Sequence, residues 1–162
     1  MTDAQDAERQ LRTFVAKFDP GAQALIRAVR RKLRARLRGA CELVYDNYNF
    51  FVIGYSPTER PSDAIVSIAA GANGVGLCFI QGARLPDPKK ILIGSGRQTR
   101  FIRLPAASVL ERPEVAALLK AAVAHAKSPL GAIGRGKLII RSVSAKQRPR
   151  RRLAHGTRSG QP

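Results

Sequence analysis

The hydrophobic period of this chain changes once, near residue 40, and that change decides its fold class. Before it, apolar residues recur every three to four positions. Ala7, Leu11, Phe14, Val15 and Phe18 share one stripe of a helix predicted over residues 6–18. Asp19-Pro20-Gly21 ends it, because proline lacks the amide hydrogen that the helical ladder needs. A second helix is predicted from about 21 to 39. Leu25, Val29, Leu33 and Leu37, with Ile26 alongside, form its apolar face, and Gly39 suits its C-terminal cap. Arg27, Arg31, Arg34 and Arg38 recur at i, i+4, i+7 and i+11, so they gather with Arg30 on the opposite face.

After residue 40 the period falls towards 2. Residues 42–46 and 50–55 read as strands around the turn-prone Asp46-Asn47-Tyr48-Asn49. Residues 64–70 and 75–80 read as a hairpin about Gly71-Ala72-Asn73-Gly74. Leu85-Pro86-Asp87-Pro88 breaks regular structure, and a short apolar piece at 91–93 leads through Gly94-Ser95-Gly96 to a strand at 100–104. Helical spacing returns over 113–127. Pro113 fits its first turn, Val115, Leu118, Leu119, Ala122, Val123 and Ala126 form its stripe, and Ser128-Pro129 stops it. Residues 137–143 read as a last strand or an arm. The order helix, helix, strands, helix predicts an α+β fold: an antiparallel-leaning sheet with two N-terminal helices and one C-terminal helix packed against it.

Composition sets the boundaries. The 162 residues allow one domain, taken as 1–143. From Ser144 onward there are six basic residues, no acidic ones and almost nothing apolar. Such a segment buries too little surface to offset its ordering entropy, so 144–162 is expected to be a disordered basic tail, dispensable for folding. The N-terminus is polar and acidic, unlike a signal peptide, and no apolar stretch approaches the roughly 20 residues that span a bilayer. Cys41 and Cys78 form no short-spaced pair. A cytoplasmic location with reduced thiols is expected.

Charge is the outlier. With 29 Lys and Arg against 11 Asp and Glu, the net charge is +18. Such a field attracts polyanions, or serves solubility. The residues positioned to use it are Arg27, Arg31, Arg34 and Arg38 of the second helix, with Lys146, Arg148, Arg150, Arg151 and Arg152 of the tail.

Reactive motifs fail individually. Gly131-Ala132-Ile133-Gly134-Arg135-Gly136-Lys137 spells the start of a phosphate loop, but a helix precedes it, an apolar β-branched run follows, and Leu138 stands where the hydroxyl belongs. His125 and His155 have no ligand-spaced neighbours, so no metal site is assigned. No Gly-x-Ser-x-Gly elbow exists, and Glu42 and Asp46 flank Tyr45 without forming a clear acid/base pair. No catalytic residue or cofactor is assigned, and the reading leans away from an enzyme while leaving that question open. Two small-molecule candidates remain. Tyr45, Asn47 and Tyr48 form either a pocket rim or stacking surface, or a strand-turn-strand corner with core aromatics. Gly94 and Gly96, with Arg97 and Arg100, form either an anion-binding nest or a plain tight turn.

Three segments, taken in order, carry a family likeness. Gly82-Ala83-Arg84-Leu85-Pro86-Asp87-Pro88, then Leu92-Ile93-Gly94-Ser95-Gly96-Arg97, then Arg100-Phe101-Ile102-Arg103-Leu104 resemble the YdhG-like domain family of bacterial proteins, as does the helix ending Ala121-Ala122-Val123-Ala124-His125. The likeness covers about residues 8–127. It implies a compact α+β fold with a curved antiparallel sheet, and no established general activity. This chain resembles a divergent subgroup, with Arg97 where the family often has Lys, and Tyr45–Asn49 where many members have Trp and Pro. The iron-chaperone role ascribed to some relatives needs an acidic surface that this chain does not supply. The leading reading is a non-enzymatic binding module with an anionic partner, nucleic acid first. The alternative is a small-molecule-binding or enzyme-accessory domain with a pocket near Tyr45 and Tyr48 and an anion site at Gly94–Arg100. A pocket lined by Tyr48 and Arg97 favours the second reading, and a continuous basic face favours the first.

Overall fold

Regular structure starts at a capping box. The Thr2 hydroxyl accepts from the Gln5 amide while the Gln5 side chain accepts from the Thr2 N–H, which fixes the start of α1 (Asp3–Val15). Asp19 does more than end that helix. Its carboxylate accepts from the Ala22 N–H, and Pro20 takes the first turn of α2 (Pro20–Arg36). Gly39 follows at φ +86°, a left-handed conformation that turns the chain into the sheet. The computed structural model describes residues 2–131 and 136–152.

Strands β1 (Cys41–Asp46), β2 (Phe51–Ser56), β3 (Val66–Gly71), β4 (Gly74–Phe79) and β5 (Arg100–Arg103) form an antiparallel meander. The chain then passes through α3 (Pro113–Ala124) and returns as β6 (Leu138–Val143), parallel to β1. The sheet is mixed but mostly antiparallel, in the order β5-β4-β3-β2-β1-β6, and it is open rather than closed. Residues 137–143 therefore end in a strand, not an arm. The α+β expectation holds, with three helices against a six-stranded sheet. Among the described residues no helix is long and apolar enough to cross a membrane.

Register places Val44, Ile53, Ile68 and Leu77 in one row across the sheet, each 0% exposed, beneath Phe18, Val29 and Leu33 of the helical layer. Val115, Leu118 and Leu119 of α3 enter the same core. Burying side chains of this size contributes about 1.5–3 kcal/mol each, so the strand alternation and helical stripes suffice to fix the layers.

The tail boundary needs correction. The Ser144 amide donates to the Asp46 carbonyl at 2.9 Å, the Arg148 amide donates to the Tyr48 carbonyl at 2.8 Å, and Arg150 is only 5% exposed. Residues 144–152 are thus a strap laid against the end of β1. The expectation of disorder from Ser144 weighed apolar surface alone, whereas this segment docks through charge and hydrogen bonds. The described fold reaches Arg152, not residue 143. Arg158 and the rest of 153–162 lie outside the described residues, as do 132–135 of the loop resembling a phosphate-binding motif.

Candidate functional site

One end of the sheet is built by the β1–β2 turn, the β3–β4 hairpin, the N-terminus of α2 and the strap. At its centre the Asp46 carboxylate has no solvent exposure, because the period-2 alternation that buries Val44 turns Asp46 to the same face. Lys17 Nζ donates to its Oδ2 at 2.6 Å, and Arg150 Nη2 to its Oδ1 at 2.9 Å. Gln147 donates to the Asp46 carbonyl at 2.7 Å. Burial pushes the Asp46 carboxyl up. The hydrogen bonds from Lys17 and Arg150 outweigh that effect and hold it below its ordinary value. Arg150 Nη2 also donates to the Asn47 carbonyl at 2.6 Å, while its Nε and Nη1 have no partner among the described residues. Of the tail residues predicted to bind nucleic acid, Arg150 is therefore an internal anchor. Lys146, Arg148, Arg151 and Arg152 are exposed.

Around this anchor lie aromatics and cations. Tyr48 is 50% exposed and Phe50 is 52% exposed. The Arg148 guanidinium stands 5.7 Å from the Tyr48 ring centroid. Phe50 lies on Gly71, where a Cβ would meet its ring at 3.2 Å. Beside the hairpin an open groove of about 430 Å³ runs between Asp19 and Gly21 of α2, Ala72 and Asn73 of the turn, and Arg150 and Arg152 of the strap.

The α2 arginines divide into paired and free. Arg30 binds Glu42 through Nε and Nη2, each at 2.9 Å, and Glu8 through Nη2 at 2.7 Å. Burial disfavours the Arg30 cation, but the bonds to Glu42 and Glu8 prevail and raise its pKa; the Arg30 bond in turn lowers that of Glu8. The buried Tyr55 hydroxyl donates to Glu42 at 2.9 Å, and its pKa is raised by burial first and then by the Glu42 charge. Arg34 stands 3.6 Å from Glu42. Arg27 and Arg31, and Arg38 beyond the end of α2, which stops at Arg36 and not near 39, are exposed with no acidic partner among the described residues.

At the other predicted anion site Arg100 bonds its own loop. Arg100 Nη1 donates to the Gly96 carbonyl at 2.6 Å and the Thr99 carbonyl at 2.8 Å, closing the loop that Gly94 opens at φ +128°. Through Nη1, Arg100 thus stitches its own turn. Arg97 is exposed. Register also separates this loop from the tyrosines. Arg100 aligns through Phe79, Val66 and Tyr55 with Glu42, at the opposite end of the sheet from Asp46, Phe51, Ala70 and Val75. Strands β5 and β1 are four spacings apart, about 19 Å. Tyr48 and Arg97 therefore do not line a common pocket. Tyr45 lies half-buried on the sheet face away from the helices, and Asn47 Oδ1 accepts from the Ser142 hydroxyl at 2.6 Å. Near His125 and Asp63 there is only a recess of about 20 Å³, room for one water.

No family model, curated protein or solved structure matches this chain. The functional reading rests on the geometry of the sheet end. Sequence reasoning missed the role of Lys17 and the docking of Arg150. The available signal was Glu42 and Asp46, two carboxylates on the core-facing side of an apolar strand, which require buried or half-buried cations.

Proposed function

We propose that this chain is a non-enzymatic binding module for polyanions, with nucleic acid the favoured partner class and the YdhG-like domains its family. The observation that carries the reading is the sheet end, where Tyr48 and Phe50 are half exposed, Arg148 lies over the Tyr48 ring, and Arg151 and Arg152 follow it, exposed, along the strap. Exposed aromatic faces stack on bases, at about 1–3 kcal/mol per base, and arginines neutralise phosphates and stack on the same rings. Arg27, Arg31 and Arg38 add a second basic stretch. Neither part offers a base-reading helix of polar side chains, so binding is sequence-tolerant and prefers single strands. Acid/base chemistry finds no support, because the buried carboxylates Glu42 and Asp46 are enclosed by cations. The same reading places the chain in the cytoplasm, where such partners are available.

The test is fluorescence anisotropy with a labelled single-stranded oligonucleotide at low and moderate salt. Replacing Tyr48 and Phe50 together by Ala is expected to weaken binding by about tenfold or more, from the loss of one or two stacked bases. The log–log salt slope should reflect about 0.7 per phosphate contacted. Absence of binding at low salt, or affinity indifferent to the aromatic pair, overturns the reading.

A further inference from the structure

We infer that the groove between the α2 N-terminus, the β3–β4 turn and the strap receives a phosphate group, which gives the polyanion interface a defined anchoring point. This rests on the polyanion reading above and specifies where one phosphate of the partner sits. Three features converge on the groove. The first turn of the 17-residue helix α2 forms one wall; Pro20 has no N–H and the Ala22 and Gln23 amides are taken by Asp19, which leaves the Gly21 N–H as the backbone donor there. Arg152, exposed and without an acidic partner among the described residues, stands on the strap side.

The third feature is Arg150. Its side chain is 2% exposed, it contributes to the groove wall, and its Nε and Nη1 donate to nothing among the described residues. A buried guanidinium normally has every N–H engaged, because each unmet donor carries the full cost of its desolvation. Asp46 and Asn47 use one nitrogen only. The missing acceptors call for an oxyanion, and phosphate offers enough oxygens to serve a guanidinium and the Gly21 amide together. The nearby Asp19 carboxylate does not compete for Arg150. It faces the Ala22 amide as the helix cap, where the helix N-terminus offsets its charge. Nε and Nη1 are closed to solvent in the unliganded fold, so uptake of an anion requires a local adjustment of the strap. The strap amides are where binding should register.

The phosphate comes from a chain terminus, from an internal diester or from free phosphate, and the experiment separates these. Backbone amide NMR is followed during titration with inorganic phosphate to about 10 mM, ten times a millimolar Kd, against chloride of equal ionic strength. The same protein is assayed by anisotropy with 5′-phosphorylated and 5′-hydroxyl oligonucleotides. Because Arg150 variants perturb the fold, the test variants are Arg152→Glu and Asn73→Glu, two exposed rim positions. The inference expects phosphate-specific shifts at residues 21–23, 71–75 and 147–152, and oligonucleotide affinity reduced about tenfold in each variant, the scale of one charge-assisted hydrogen bond. A preference for the 5′-phosphorylated strand assigns the groove to a terminus, and equal affinity assigns it to a diester. Phosphate shifts with no oligonucleotide binding at low salt keep the groove, with free phosphate as its ligand, and remove the polyanion reading. Oligonucleotide binding that both variants leave intact, or phosphate shifts confined to Arg27, Arg31 and Arg38, overturns the groove.

Discussion

Replacing Arg150 with Ala tests whether a strap 104 residues away in sequence holds the core closed. The substitution leaves Asp46 at 0% exposure with Lys17 as its remaining charged partner. Removing one partner of a buried ion pair costs about 3–5 kcal/mol, because the other charge stays behind. Lys17 is 42% exposed and still reaches Asp46 at 2.6 Å, which moves the cost towards the low end. The Asn47 carbonyl loses a charged donor, worth about 1.5–3 kcal/mol. Against this, the variant removes two enclosed N–H groups without partners, which returns about 1–3 kcal/mol. The balance is a loss of about 3 kcal/mol, a large share of the stability of a domain this size. Urea denaturation measures it directly, and the thermal midpoint should fall by roughly 4–12 °C.

Two further measurements isolate the cause. In a double-mutant cycle with Asp46→Asn, the coupling between the sites should exceed about 1.5 kcal/mol, as for neighbours in one network. The second measurement uses acid. A carboxyl whose folded pKa is depressed contributes stability above its unfolded value, near 3.9, and loses it as pH falls through the folded value. The native protein should therefore lose stability steeply below about pH 4, and Asp46→Asn should flatten that limb. An Arg150→Ala loss below about 0.5 kcal/mol, the range of ordinary surface changes, means that the strap does not carry the pair.

Leu118 and Leu119 are each 3% exposed in α3, and truncating either to Ala should cost about 2–5 kcal/mol by denaturation. Tyr55→Phe removes the hydroxyl that donates to Glu42 and should cost about 1 kcal/mol at neutral pH. Because the folded pKa of Tyr55 is raised, its hydroxyl contributes stability that is lost as pH climbs above about 10, and the Phe variant should show a shallower alkaline limb.

What was legible in the sequence was whatever apolar periodicity encodes. The stripes through Leu11 and Phe14, through Val29 and Leu33, and through Leu118 and Leu119 all face the core, and the turn at Gly71–Gly74 joins two strands as expected. The same logic was blind to the strap, because nothing apolar fastens residues 144–152. Their partner, Asp46, lies about a hundred positions upstream, and a charge pair at that separation leaves no periodic trace. Side-chain direction at the candidate sites was hidden for a related reason. Gly94–Arg100 has the composition of an anion nest, but whether Arg100 points at a ligand or at the Gly96 carbonyl depends on side-chain geometry that spacing does not specify. The separation of Tyr48 from Arg97 follows from strand order, which became readable only once the meander and its register were known.

The strap joins stability to binding. Arg150 and Gln147 fasten it inward, while Arg148, Arg151 and Arg152 present it outward, so one short segment serves both the core and the candidate interface. A chain carrying +18 repels itself, and concentrating exposed arginines at one edge adds to that repulsion. The buried Asp46 is a local counterweight, close enough to Arg150 and Lys17 to hold the strap in place. Binding a polyanion there neutralises the outward charges without competing for Asp46, which solvent and ligand do not reach. By linkage, such a partner stabilises the fold in proportion to its occupancy of the docked strap, since only the docked form presents the aromatics and cations together. On the proposed reading the inward pair and the outward face depend on each other: loss of the Asp46–Arg150 contact would free the strap that carries the cations, and a partner bound there would favour the docked strap that encloses Asp46.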